Sequence, residues 1–98
     1  MTDALSCSLP AAELDERART WRTLDRYVRS RTRIASGIRI EFDGRAAAGV
    51  EGLAAAEQSC CAWGNWAVTV APDAVVLEVT GPAERIEALA GVVGVPDH

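Results

Sequence analysis

No histidine lies in the interior of this chain; the only one is His98 at its end. A serine or cysteine nucleophile therefore has no interior imidazole to act as its base. There is no Cys-x-x-Cys pair, which leaves ordinary structural zinc sites and thioredoxin-type exchange without their ligands. A Gly-rich phosphate loop is missing. No apolar run is long enough to span a bilayer and no secretory leader pattern is seen, so the chain reads as cytoplasmic, without a membrane partner, where thiols stay reduced. Internal repeats and low-complexity stretches are absent.

Lysine is missing too. All ten basic residues are arginine, against fourteen acids, for a formal net charge of −4. An acidic chain has no general attraction for nucleic acid, and no nucleic-acid partner is expected. Seven of the arginines fall between Arg17 and Arg33. Glu13 and Arg17, Asp15 and Arg19, and Asp25 and Arg29 stand four apart with the acid first, the favourable order on a helix. This run reads as a solvated helix face.

A chain of 98 residues forms one domain with a single modest core, too small for a cleft between two lobes. Residues 1–8 read as a mobile N-terminal segment. Pro10 suits a first helical turn, and Leu14, Ala18, Trp21 and Val28 recur at helical spacing, which predicts a helix over 11–33. Ile38, Ile40 and Phe42 alternate with Arg39, Glu41 and Asp43 as a strand with one wet face. From Ala46 an Ala-rich helix places Val50, Leu53, Ala54, Glu57, Cys60 and Cys61 on one stripe. Trp66, Val68 and Val70, then Val75, Leu77 and Val79, predict an antiparallel hairpin, and Gly81-Pro82 opens a last helix.

The order helix, strand, helix, strand, strand, helix predicts an α+β fold: a small, mainly antiparallel three-stranded sheet with helices on one face. Residues 37–91 make most of a ferredoxin-like split unit, its final strand missing or reduced to 92–95. Open sheet edges make pairing of two chains into a homodimer an expected route of association.

What the chain does carry is thiol. Cys60 and Cys61 adjoin at a helix end, Glu57 lies one turn upstream, and Cys7 precedes the first helix, whose N-terminal partial charge favours a thiolate. Neighbouring residues on a helix point about 100° apart, so Cys60 and Cys61 can share one ion only if the helix frays at Gly64-Asn65. Should the first two helices pack antiparallel, Cys7 comes to the same end. Three thiolates without histidine suit soft species such as Hg(II), Cu(I), Pb(II) or trivalent arsenic. Core filler is the competing reading, since cysteine on an Ala-rich stripe behaves as a small hydrophobe. Glu57, a carboxylate on an apolar stripe, must reach the rim, find a donor or carry a raised pKa. Trp63 and Trp66 flank the helix stop as packing residues or as a pocket wall.

Cys7-Ser8-Leu9, the helix with Arg17 and Trp21, Gly37 to Phe42, Ala56-Glu57-Gln58-Ser59-Cys60-Cys61-Ala62-Trp63 and Leu77 to Pro82 together resemble a small actinobacterial domain. Versions of that domain look like the C-terminal extension of MerR-type heavy-metal-responsive regulators, and others stand alone. The resemblance implies recognition of a soft metal or metalloid, with Cys7, Cys60 and Cys61 as ligands. This sequence departs from the pattern in having no winged-helix half before Cys7 and in carrying Trp63 and Trp66 where phenylalanines are expected. A direct operator-binding role is therefore not expected.

Three functions remain open on the residues alone. One is a metal-binding module accessory to resistance or sensing. Another is an organometal lyase in which two thiolates grip the metal and Glu57 donates the proton that releases the carbon group, a likeness of site chemistry to organomercurial lyases. The last is a structural or dimerising domain with core cysteines.

Overall fold

The computed structural model describes residues 11–60 and 63–95, with side chains over 15–59 and 63–95. Segment 1–8, with Cys7, and Cys61 lie outside the described residues, as does the side chain of Cys60. The described chain is α+β: helix α1 (Ala11–Asp25), strands β1 (Val28–Ile34) and β2 (Gly37–Asp43), a 3₁₀ turn at Gly44–Ala46, helix α2 (Ala47–Cys60), strands β3 (Asn65–Val70) and β4 (Ala74–Thr80), and helix α3 (Ala83–Val93).

Two expectations are corrected. The first helix stops at Asp25 instead of running to residue 33, and Val28–Ile34 is a strand, so the sheet has four strands in the order β1-β2-β4-β3. The arginine run hid this. Val28-Arg-Ser-Arg-Thr-Arg-Ile also has a period of two, but a bulge between Val28 and Ser30 shifts the register. Val28 lies opposite Phe42, and beyond the bulge Arg31 and Arg33 lie opposite Ile40 and Ile38, on the face the helices cover. A bulge of this kind exchanges the faces of all residues after it. Arg33 is held there by Glu87 of α3, at 2.6 and 3.0 Å. Arg29 pairs with Glu41 and Asp43 of β2 instead of with Asp25.

From β2 onward the elements run strand, helix, strand, strand, helix, and β2 and β3 are each antiparallel to β4, which lies between them. The place beside β2 that a last strand of a ferredoxin-like sheet would fill is taken by β1, from the N-terminal side. Val92 and Val93 belong to α3, which ends at Gly94 in the left-handed conformation (φ 78°), and no strand forms over 92–95. A left-handed stop favours glycine because it has no Cβ to clash.

Ile38, Ile40 and Phe42 of β2 and Val75, Leu77 and Val79 of β4 are buried beneath Leu24, Val50, Leu53, Ile86 and Leu89 from the three helices. The other face of the sheet is wet, with Arg39 between Glu41 and Glu78. Leu24, near the end of α1, meets Gly49 near the start of α2, while Arg17 near the start of α1 reaches Glu57 near the end of α2. The two helices are thus antiparallel, and the start of α1 lies toward the Cys60 end of α2. No helix of the described residues is long and apolar enough to cross a membrane.

Asp43 caps the 3₁₀ turn, accepting from the backbone N–H of Arg45 at 2.9 Å and from its Nε at 3.1 Å. That backbone donor, and then the Arg45 guanidinium, draw the Asp43 carboxyl down from its ordinary 3.8 to about 2. A depressed folded-state value means that the contribution to stability is whole above pH 3.8 and is lost as pH falls through about 2. An NMR titration should find the Asp43 midpoint near that lower value. Arg45→Ala keeps the backbone donor and should move the midpoint only part of the way back; a midpoint near the ordinary value in the native protein would contradict the cap.

Candidate functional site

Glu57 is fully buried, with no exposed surface. It lies in the last turn of α2, where the partial negative charge of the helix end opposes a carboxylate. The opposing charge comes from α1. Arg17 places Nη1 2.9 Å from Glu57 Oε1, and Trp21 donates from Nε1 to Oε2 at 3.0 Å. Arg17 and Trp21 are four residues apart, on one side of α1, which is how two side chains of one helix can meet a single carboxylate. Of the ways open to a carboxylate on an apolar stripe, this one has found donors. Arg17 itself is only 15% exposed, so both partners of the ion pair are largely withdrawn from water.

Beyond Glu57, the chain at the end of α2 is held by one amide. Gln58 donates from Nε2 to the Gly64 carbonyl at 2.9 Å and accepts from the Trp66 backbone N–H at 3.0 Å. Gly64 and the start of β3 are therefore tied to the last turn of α2. Trp66 packs against Trp21 (centroids 6.5 Å, tilted 55°) and edge-on against Trp63 (5.8 Å, 63°). Those spacings are favourable for aromatic pairs. Trp66 is only 6% exposed, and its buried Nε1–H has no hydrogen-bond partner among the described residues. It lies beside Gly64, where an added Cβ would stand 3.4 Å from that nitrogen. A buried donor without an acceptor is uncommon and costly.

Of the four residues singled out in the sequence, Glu57 is placed in full, the backbone of Cys60 forms the last position of α2, and Cys7 and Cys61 fall outside the described residues. Among the described residues no three histidine, cysteine, aspartate or glutamate side chains cluster closely enough to hold a metal ion. The role of Arg17 and Trp21 was not read from the sequence, where Arg17 looked like one more solvated arginine. A signal was present: Arg17 shares a helical stripe with Trp21, and the carboxylate on the α2 stripe needs a donor.

Comparison with known proteins brings no match: no protein-family model fits the chain, and no curated protein and no solved structure is significantly similar to it.

Proposed function

We propose that this protein is a binding module for a soft metal or metalloid ion, held by the thiolates of Cys7, Cys60 and Cys61, and accessory to metal resistance or sensing. The observation that carries the reading is the buried Arg17–Glu57–Trp21 lock, one turn before Cys60. It fixes α1 antiparallel to α2, with the N-terminal half of α1 toward the Cys60 end of α2, the arrangement under which Cys7 would have the shortest path to the pair. The Gln58 amide supports the same reading by tying down the segment after Cys61. A site of soft donors on such a frame selects thiophilic species over hard cations.

Binding has more support than bond cleavage. A lyase needs Glu57 to give up a proton, yet each of its oxygens faces a donor. The lyase reading would regain its standing if the reduced protein released the carbon group from an organomercurial and Glu57→Gln stopped it. The test of binding is titration of the fully reduced protein with Hg(II), trivalent arsenic, Cu(I) and Zn(II), followed by thiolate absorbance and native mass spectrometry. A tight one-to-one complex with a soft ion is expected. Losing one of three thiolates from a centre worth on the order of 10 kcal/mol should weaken it by roughly 100-fold or more. Affinity unchanged in Cys7→Ser/Cys61→Ser would return the cysteines to the core and leave a structural or dimerising domain.

A further inference from the structure

Between α1, α3 and the β1–β2 half of the sheet lies a groove of about 520 Å³. We infer that it binds an amphipathic organic monoanion, a carboxylate on an apolar body. This site is distinct from the thiol site and does not depend on it.

Three observations carry the inference. The first is size: the volume falls within the range of small-molecule pockets, whereas well-packed interiors leave few voids larger than a water molecule. The second is the lining. Ile40 and Phe42 form the floor, Trp21, Val28 and Val93 the walls, and Val92, 61% exposed, the lip. Such a surface takes up a hydrocarbon or aryl body by excluding water from it.

The third observation is charge. Arg17, Arg22 and Arg31 stand at the rim with Asp25 as the single acid. Arg17 is balanced by Glu57, and Arg31 by its hydrogen bond to Asp25. Arg22 has no acidic partner among the described residues. One surplus positive charge over an apolar trough, on a protein of net charge −4, fits one negative charge at the head of an apolar ligand. A cation would meet the surplus guanidinium, and a neutral ligand would leave it unused.

Isothermal titration of the full chain with decanoate, well below its micelle concentration, tests this. Decanol and decyltrimethylammonium serve as neutral and cationic analogues. Arg17 and Trp21 are left intact because they hold Glu57. The variants are Arg22→Glu, at an exposed position, and Val28→Phe, which fills the trough with a residue suited to a strand. Saturable one-to-one binding of decanoate is expected, about tenfold or more weaker for both analogues and for Arg22→Glu, and lost in Val28→Phe. If Val28→Phe fails to fold, Arg22→Glu with the analogues still decides. Non-saturating uptake, equal binding of the cationic analogue, or no effect of Arg22→Glu would overturn the proposal. So would absence of decanoate binding; found together with a dimer that Val92→Asp splits, it would make the groove an interface between copies.

Discussion

Glu57→Ala should cost about 3–5 kcal/mol of folding stability, because it leaves the Arg17 guanidinium buried without its counter-charge and Trp21 without its acceptor. A domain of this size has a total of about 5–15 kcal/mol, so a large share of the population unfolds under mild conditions. Urea denaturation followed by far-ultraviolet circular dichroism should show the midpoint fall by roughly 2 M. The pair as a whole is less valuable than its breakage suggests, since two charges had to leave water to form it. Arg17→Met combined with Glu57→Leu should therefore recover most of the loss, short only of what the Trp21 N–H lacks without its acceptor. A loss below about 1 kcal/mol in Glu57→Ala would mean that α1 is not secured to α2 through this contact.

The second large effect comes from one substitution made at two glycines. At Gly37, paired with Thr80 at the start of β2, an added Cβ would fall inside the contact radius of the Val79 carbonyl oxygen and stand 2.9 Å from Thr80 Cγ2. The obstacle is backbone of the inner strand β4, which cannot swing aside as a side-chain tip can. Gly37→Ala should cost about 3 kcal/mol, at the upper end of what overpacking usually costs. At Gly52, exposed in the middle of α2, an added Cβ meets nothing within 4 Å. Gly52→Ala should raise stability by about 0.5–1 kcal/mol, since alanine has less backbone freedom to lose in a helix. Thermal unfolding of both variants checks the opposite signs; a drop at Gly52, or no change at Gly37, would contradict the packing described.

The hydrophobic alternation of β2, β3 and β4 and the apolar stripes of α2 and α3 made most of the fold legible, because each of those segments has one wet and one dry face. Residues 28–34 did not announce themselves. Their alternation is carried by arginines, whose long stems cover apolar surface while their charges reach acids on neighbouring elements. A bulge then exchanges the two faces, and the acids that complete the pattern come from other elements, Asp25 at the end of α1 for Arg31 and Glu87 of the distant α3 for Arg33. Glu57 was legible as an anomaly, since a carboxylate on an apolar stripe demands an account. Its donors were not, because nothing local to α2 says which face of α1 will arrive there. The groove was beyond reach for a related reason: it is a property of the space between α1 and α3, and sequence patterns describe elements singly.

All three tryptophans of the chain belong to one contact cluster, Trp21 and Trp63 each against Trp66. The ultraviolet emission of the folded protein thus arises from a single place, with no distant indole to dilute it. That place faces both regions discussed above: Trp21 walls the groove and holds Glu57, while Trp63 and Trp66 flank the turn that follows the cysteine pair. Events at either region are therefore felt by the same fluorophores, and the molecule carries a built-in optical probe that needs no added label.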